Sequence, residues 1–266
     1  MDPEVPKPSF DGYRRWLRKE LGIAISTTTT GRYELAARQL KDQTESSAFW
    51  RAVRDHKRRI DDGYFQKHRV GLLMKLEDTP EIVWKPFDSM LEKSYRKNIL
   101  TNTNWPKPPS EGWILPDNWF ARINDTIRTF IVVKYLDGVP FLTDELKRIA
   151  VASGVSAEAS FEAREEGYYA SHIYITLTGR IPDIRWDTRQ TGYLFEIQVT
   201  TQLQDAIRPI THPFYVARRT RTSIAEEKWQ WQYDSNEFRA NYLAHTLHHV
   251  EALILDVRDR PKGGIA

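Results

Sequence analysis

Between Asp11 and Leu21 the apolar side chains Tyr13, Trp16, Leu17 and Leu21 fall three or four positions apart with basic residues between them, which predicts an amphipathic helix. The polar run from Ser26 to Gly31, STTTTG, reads as a loop. Beyond it, Tyr33 to Leu40 and then Phe49, Val53, Ile60 and Tyr64 predict two further helices, so the chain opens with a helical region over 1–66. In the middle the pattern changes to short, β-branched and alternating runs. Strand-like segments begin near Val70 with VGLLMKL and recur at Thr129 to Tyr135, His172 to Leu177 and Tyr193 to Thr201. Helices are predicted between them, from about Pro86 to Asn98 and around Thr143 to Ser153. The stretch from Asn104 to Trp119 holds Pro106, Pro108, Pro109 and Pro116, and proline's missing amide and restricted predecessor make it an irregular insertion. After Pro213 helical patterning returns. There Leu243, Leu247, Val250, Ile254 and Val257 step by four and three, a coiled-coil-like stripe that packs on the domain or on another subunit. No internal repeat and no linker stands out.

No apolar run approaches the ~20 residues of a membrane-spanning helix. The chain starts Met1-Asp2-Pro3-Glu4, without the basic and then apolar segments of a secretory signal. With no cysteine, disulfides, thiolate catalysis and cysteine-bound zinc are excluded. Together these features predict a soluble, cytoplasmic protein with no membrane partner. The 39 Lys and Arg against 36 Asp and Glu leave a net charge of +3, too little for a general nucleic-acid coat, so local patches matter. One such patch is Arg51, Arg54, Lys57, Arg58 and Arg59, for which a solvated face is the plain reading and a phosphate-binding face the alternative.

The candidate chemistry sits on the predicted strands and on one helix. In YLFEIQVTT the side chains of Phe195, Ile197 and Val199 point one way and those of Glu196 and Gln198 the other. A carboxylate mid-strand needs a cation, a proton or solvent beside it, and for a lone glutamate solvent is the ordinary provider. His172, Tyr174 and Thr176 likewise share a face, and Gly167-Tyr168 precedes that strand. Lys85, Ser89, Lys93 and Arg96 project from one side of the helix that Pro86 opens, a face suited either to polyphosphate or to water. Asp125 lies just before the strand at Thr129, where a carboxylate reaches a metal or simply faces solvent. His245 and His249, one helical turn apart with His248 beside them, lack a clear third metal ligand.

In order and spacing these segments resemble the synthetase domain of the RelA/SpoT family. FEIQVTTQLQDAIRPITH, from Phe195 to His212, resembles its EIQ-x-RT run with a later histidine. EEGYYASHIYI, from Glu165 to Ile175, resembles GYRSLH; KPFDSMLEK, from Lys85 to Lys93, resembles K-x-x-x-S-x-x-x-K; INDTIRTFIVV, from Ile123 to Val133, resembles the strand with the metal-binding Asp. The likeness runs from about Val70 to Tyr215. It implies an α+β fold, a nucleotidyltransferase-like mixed β-sheet flanked by helices, with a core over 67–217 and a C-terminal helical extension over 218–266. It implies transfer of the β,γ-pyrophosphate of ATP to the 3′-hydroxyl of GDP or GTP, giving (p)ppGpp. Asp125 and Glu196 would then hold Mg²⁺, with Glu196 also accepting the hydroxyl proton; Lys85, Ser89 and Lys93 would serve ATP; Tyr168 would stack on the acceptor base, with His172 and Gln198 near the acceptor.

Arginines usual in the family are absent. Val83 stands two positions before Lys85, Tyr169 and Ala170 follow Gly167-Tyr168, Thr200 replaces the arginine of the EIQ run, and Arg128 and Phe130 replace the Gly and Arg after the metal Asp. These losses, with the basic N-terminal helix and Arg218, Arg219 and Arg221, motivate a second expectation: a toxin-like relative that modifies the 3′-CCA end of tRNA and has an antitoxin. A third is a degenerate nucleotide-binding protein. A homo-oligomer through the C-terminal helix fits any of them.

Overall fold

Helix α1 (Phe10–Leu21) starts where the Ser9 hydroxyl accepts a hydrogen bond from the Gly12 amide, and it ends at Gly22, whose φ of 67° suits a residue without Cβ. Helix α2 (Thr27–Glu45) takes in most of the STTTTG run that reads as a loop. Ser26 accepts from the Thr29 amide while the Thr29 side chain accepts from the Ser26 amide, and this capping box turns a polar run into a first helical turn. Helix α3 (Ala48–His68) buries the expected Phe49, Val53, Ile60 and Tyr64, and leaves Arg51, Arg54, Arg58 and Arg59 exposed.

This computed structural model describes residues 5–76, 78–182, 188–220 and 228–260, apart from the side chains of 218–220. Its fold is α+β. The strands are β1 (Ile82–Trp84), β2 (Ile127–Val133), β3 (Ala157–Ala163), β4 (Tyr169–Pro182) and β5 (Thr188–Thr201), and they form one mixed sheet in the order β1-β2-β5-β4-β3. Burial alternates strictly along β2. The Thr200 hydroxyl donates to the Tyr169 carbonyl at 3.0 Å, so the end of β5 runs beside the start of β4, an antiparallel pair. The expected strand at Val70 is reduced to a bridge between Leu73 and Val133. The Asp61 carboxylate takes the amides of Leu72 and Leu73 at 2.8 and 2.9 Å and so removes them from a ladder.

Helix α4 (Phe87–Tyr95) runs into a π turn (Arg96–Leu100), and the short α5 (Trp119–Arg122) closes the irregular insertion. That insertion is pinned to the π turn by two buried asparagines. Asn98 donates to the Ile114 carbonyl at 2.9 Å and accepts from the Ile114 amide at 2.9 Å, while Asn102 donates to the Lys107 carbonyl at 2.8 Å. Helix α6 (Gly138–Ala152) begins five positions before Thr143, with Pro140 in the first turn, where its missing amide costs nothing. Helix α7 (Gln202–Thr220) follows β5 directly and carries Pro209 and Pro213 inside it, so proline does not mark its start. A 3₁₀ turn (Trp229–Trp231) precedes α8 (Asn236–Asp259). Among the described residues no helix is long and apolar enough to cross a membrane.

By contacts the chain forms two compact units. The first comprises Met1–Ser47, Ile82–Arg128 and Ile175–Glu196; the second comprises Ala48–Glu81, Thr129–Tyr174 and Ile197–Ala266. Within the first, α2 packs on β1 and α1 on α4; within the second, α3 packs on α6 and α7 on α8.

Helix α8 docks by its polar side. Asn241, Ala244 and Glu251 are buried, whereas Leu243, Ile254 and Val257 of the expected apolar stripe remain 46%, 38% and 69% exposed. Leu247 and Val250 of the same stripe are half-buried, so it packs on the domain only in part. Gly167, at φ 82°, permits the approach, because a Cβ there would meet that of Ala244 at 2.6 Å. At the far end the Arg258 guanidinium bonds Asp137 at 2.7 Å and the Tyr64 hydroxyl at 2.8 Å, which ties α8 to the second unit's α3 and to the start of α6. Glu251 is only 4% exposed, and its nearest ionic partner, His248 Nδ1, stands 3.5 Å away. Burial pushes the Glu251 carboxyl up to about 7, against a smaller pull from Thr201. Because this pKa lies above the ordinary 4.5, the folded state favours the protonated acid, and stability is lost as pH rises from 4.5 through 7. Glu251→Gln should therefore raise the melting temperature at pH 8, by on the order of 2 kcal/mol in stability, with the gain vanishing near pH 4.5 in thermal denaturation. An unchanged difference across that range would contradict this account.

Candidate active site

Asp125 precedes β2, and two lysines meet its carboxylate. Lys85 Nζ donates to Oδ2 at 2.9 Å, and Lys93 Nζ lies 2.9 Å from Oδ1 while donating to Asn124 Oδ1 at 2.7 Å. The backbone prepares this meeting. The Lys85 amide donates to the Thr126 carbonyl at 2.8 Å, beside Asp125, and the Tyr33 hydroxyl donates to the Lys85 carbonyl at 2.7 Å. Tyr33 is itself held by a stacked Phe120 at 5.4 Å and edge contacts with Phe87 and Trp119. Lys93 then follows on α4, two helical turns beyond Lys85, with Ser89 half-buried between them on the same face. Burial alone would raise the Asp125 carboxyl, but Lys93 and then Lys85 outweigh it and hold the group well below the usual carboxylate range. Lys85 moves the other way: burial lowers it, and Asp125 offsets part of that shift.

Glu196 lies mid-strand on β5 in the same unit and is 2% exposed, flanked by the buried Phe195 and Ile197. The expectation of a solvated glutamate fails here, because the polar face of this strand is covered at Glu196, although Leu194 and Gln198 on either side are only half-buried. Burial leaves a cation, a proton or hydrogen-bond donors as the groups able to offset its charge. Gln198, two positions on, is half-buried.

In the second unit the Tyr168 hydroxyl and His172 Nε2 share a hydrogen bond of 2.9 Å, and the Tyr174 hydroxyl lies 3.4 Å from Nδ1 of the same ring. The Arg164 guanidinium stands 5.4 Å over the Tyr168 ring and bonds the Tyr215 hydroxyl. The structure thus brings Tyr168 and His172 together. The neighbouring Tyr169 is engaged differently: it stacks on His248 at 3.6 Å, and its hydroxyl bonds His245 Nδ1 at 2.8 Å. His245 Nε2 lies 2.9 Å from the Glu165 carbonyl, which can only accept, so Nε2 carries a proton and both ring nitrogens are spoken for. His245 is therefore a hydrogen-bonded anchor of α8 and not a metal ligand. The side chains of Arg218 and Arg219, and all of Arg221, lie outside the described residues.

No family model matches the chain, and no curated protein matches it. Among solved structures it is similar to small alarmone synthetase 1 from Bacillus subtilis bound to its product pppGpp, with 17% identity over 84% of this chain and 93% of that one and a TM-score of 0.47. It is also similar to small alarmone synthetase 2 from Bacillus subtilis, with 13% identity over 87% and 98% and a TM-score of 0.48. A GTP pyrophosphokinase family protein from Streptococcus pneumoniae gives 14% identity over 88% and 98% and a TM-score of 0.46. At such identities and scores these likenesses assign nothing by themselves, and the chemistry rests on the residues.

Sequence reasoning missed two cations near this centre, Lys97 and Arg122. Arg96, which it placed on the lysine face, instead pairs with Glu92 at 3.5 Å. The available signal was the spacing of four from Lys93 to Lys97.

The three-charge cluster makes a measurable claim. Asp125→Asn should leave two neighbouring ammonium groups facing a neutral amide and cost about 3 kcal/mol in thermal or denaturant unfolding at pH 7. Inorganic tripolyphosphate should restore more stability to that variant than it adds to the unaltered protein. Since the Asp125 pKa is depressed, its contribution persists through neutral pH, and the gap between the two proteins should close only as pH falls below 3.8. Equal stability at pH 7 would contradict the assignment.

Proposed function

We propose that the chain is an ATP-dependent pyrophosphokinase of the RelA/SpoT synthetase type, transferring the β,γ-pyrophosphate of ATP to the 3′-hydroxyl of GDP or GTP. The observation that carries this reading is the gathering of Lys85, Lys93 and Asp125, three residues drawn from two separate motifs, into one cluster with direct ionic contacts. Phosphoryl transfer is achieved mainly by placing positive charge along the phosphates, and a lysine pair of which Lys85 is buried and Lys93 half-buried does so partly shielded from water.

In this reading Lys85 and Lys93 exchange Asp125 for ATP phosphate oxygens, and Ser89 supports them. Asp125 and Glu196 are the residues that would hold Mg²⁺. Both offer hard oxygen donors, Asp125 is kept ionised, and each of its oxygens retains a lone pair beyond its lysine. When bound, the ion supplies charge to the phosphoryl oxygens. Glu196 takes the 3′-hydroxyl proton as the oxygen attacks the β-phosphorus, the bond to the α,β-bridging oxygen breaks, and AMP departs with the electron pair. Tyr168 is assigned to the acceptor base, with His172 and Gln198 to the acceptor's polar groups. A second copy is assigned to the outward stripe of α8.

One observation favours a second acceptor. Tyr169 and Thr200, at two positions where the family carries acceptor-side arginines, are consumed in contacts with each other and with His245 and His248. A site without those cations suits an acceptor that lacks a free 5′-polyphosphate, such as the 3′-CCA end of tRNA, and an antitoxin would accompany that activity.

Incubation of the purified protein with γ-labelled ATP, Mg²⁺ and, separately, GDP, GTP, ADP and deacylated tRNA decides between them. Label in GDP or GTP is the expected outcome, and label in tRNA alone would replace the first reading with the second. Glu196→Gln should lower transfer about a thousandfold. No transfer to any acceptor would leave a nucleotide-binding protein without catalysis.

A further inference from the structure

The cationic face of α4 continues beyond Lys93. Lys97, in the π turn, and Arg122, at the end of α5, line a cleft of about 210 Å³ together with Thr101, Thr103 and Ser110. π turns recur at functional sites, and this one is fixed to the proline-rich insertion by Asn98 and Asn102. The cleft therefore has set walls. Lys97 is exposed, and it sits somewhat below the ordinary lysine range, through partial desolvation first and then through Lys93. It stands four positions beyond Lys93, where α4 runs directly into the π turn. Arg122 is held by Glu111, through the Glu111 carbonyl at 2.6 Å and Oε2 at 3.0 Å, but the Glu111 side chain is 78% exposed, and so weakly held a counter-charge is readily replaced.

Charge arithmetic says what such a cleft is for. Lys85, Lys93 and a Mg²⁺ ion against Asp125 and Glu196 would leave two positive charges, fewer than the negative charges of a nucleoside triphosphate. As the bond between the β-phosphorus and the bridging oxygen breaks, negative charge moves onto the departing α-phosphate, away from the pyrophosphate that Lys85 and Lys93 hold in this reading. Val83 offers no cation there. We propose that the cleft between the π turn and the proline-rich insertion is a donor subsite, in which Lys97 and Arg122 hold the α-phosphate that leaves with AMP. The inference rests on the pyrophosphokinase reading and extends it.

Equilibrium dialysis with α-labelled ATP and Mg²⁺ tests the subsite without reference to turnover. Lys97→Ala and Arg122→Ala should each weaken ATP roughly tenfold, and AMP should compete with ATP less well in either variant. Glu111→Gln should tighten ATP severalfold by removing the carboxylate charge that competes for Arg122 while its bond to the Glu111 carbonyl remains, whereas removal of a merely structural contact would not. Circular dichroism melts establish that each variant is folded; should Arg122→Ala unfold, Lys97→Ala and Glu111→Gln decide. Unchanged ATP affinity in the cleft variants alongside a loss in Lys93→Ala would overturn the subsite and leave the proposed activity standing. Weaker binding in Glu111→Gln would also overturn it. Failure of the unaltered protein to bind ATP would overturn both.

Discussion

One carboxylate gripped by two ammonium groups organises the candidate site. Lys85 follows β1, Lys93 ends α4 and Asp125 precedes β2, so their meeting ties two strands and a helix to a single point. Burying three charges costs several kcal/mol of lost hydration, and only their mutual contact makes the arrangement tolerable. The aromatic cluster of Tyr33, Phe87, Trp119 and Phe120 supplies the rigid surroundings that such contact requires. Stability and chemistry thus draw on the same atoms, as a site kept charged and partly dehydrated demands.

Much of this was legible beforehand, and the failures have identifiable causes. Periodicity located α1, α3, β2 and the inner parts of β4 and β5, because each has one face against a core. It misread STTTTG, where the reciprocal bonds of Ser26 and Thr29 make a helix start out of residues that in isolation favour turns. It placed the start of α7 too late, since two prolines inside a helix override the usual rule. Alternation found Glu196, yet it had no means of telling a covered polar face from a wet one. Nothing in local pattern unites residues 85, 93 and 125. Spacing and strand position marked each of them separately, and only coordinates place their atoms in contact.

Helix α8 inverts the usual arrangement of an amphipathic helix. Its inward contacts include an arginine clasp, a glycine-permitted close approach to Ala244 and the buried Asn241 and Glu251, while Leu243, Leu253, Ile254 and Val257 look outward. Such a helix is held by geometry and hydrogen bonding more than by apolar burial. Tyr169 and Thr200 are engaged in the same seam, the first stacked on His248 and the second bonded to the Tyr169 carbonyl.

The lysine grip on Asp125 also sets a threshold for intruders. A ligand has to dislodge a counter-ion anchored at two points, and a solitary phosphate or sulfate confronts that task one ammonium at a time. A chain of linked phosphates reaches both at once, with the second contact made intramolecular by the first. Selectivity for longer anions can therefore arise without any pocket shaped to measure their length.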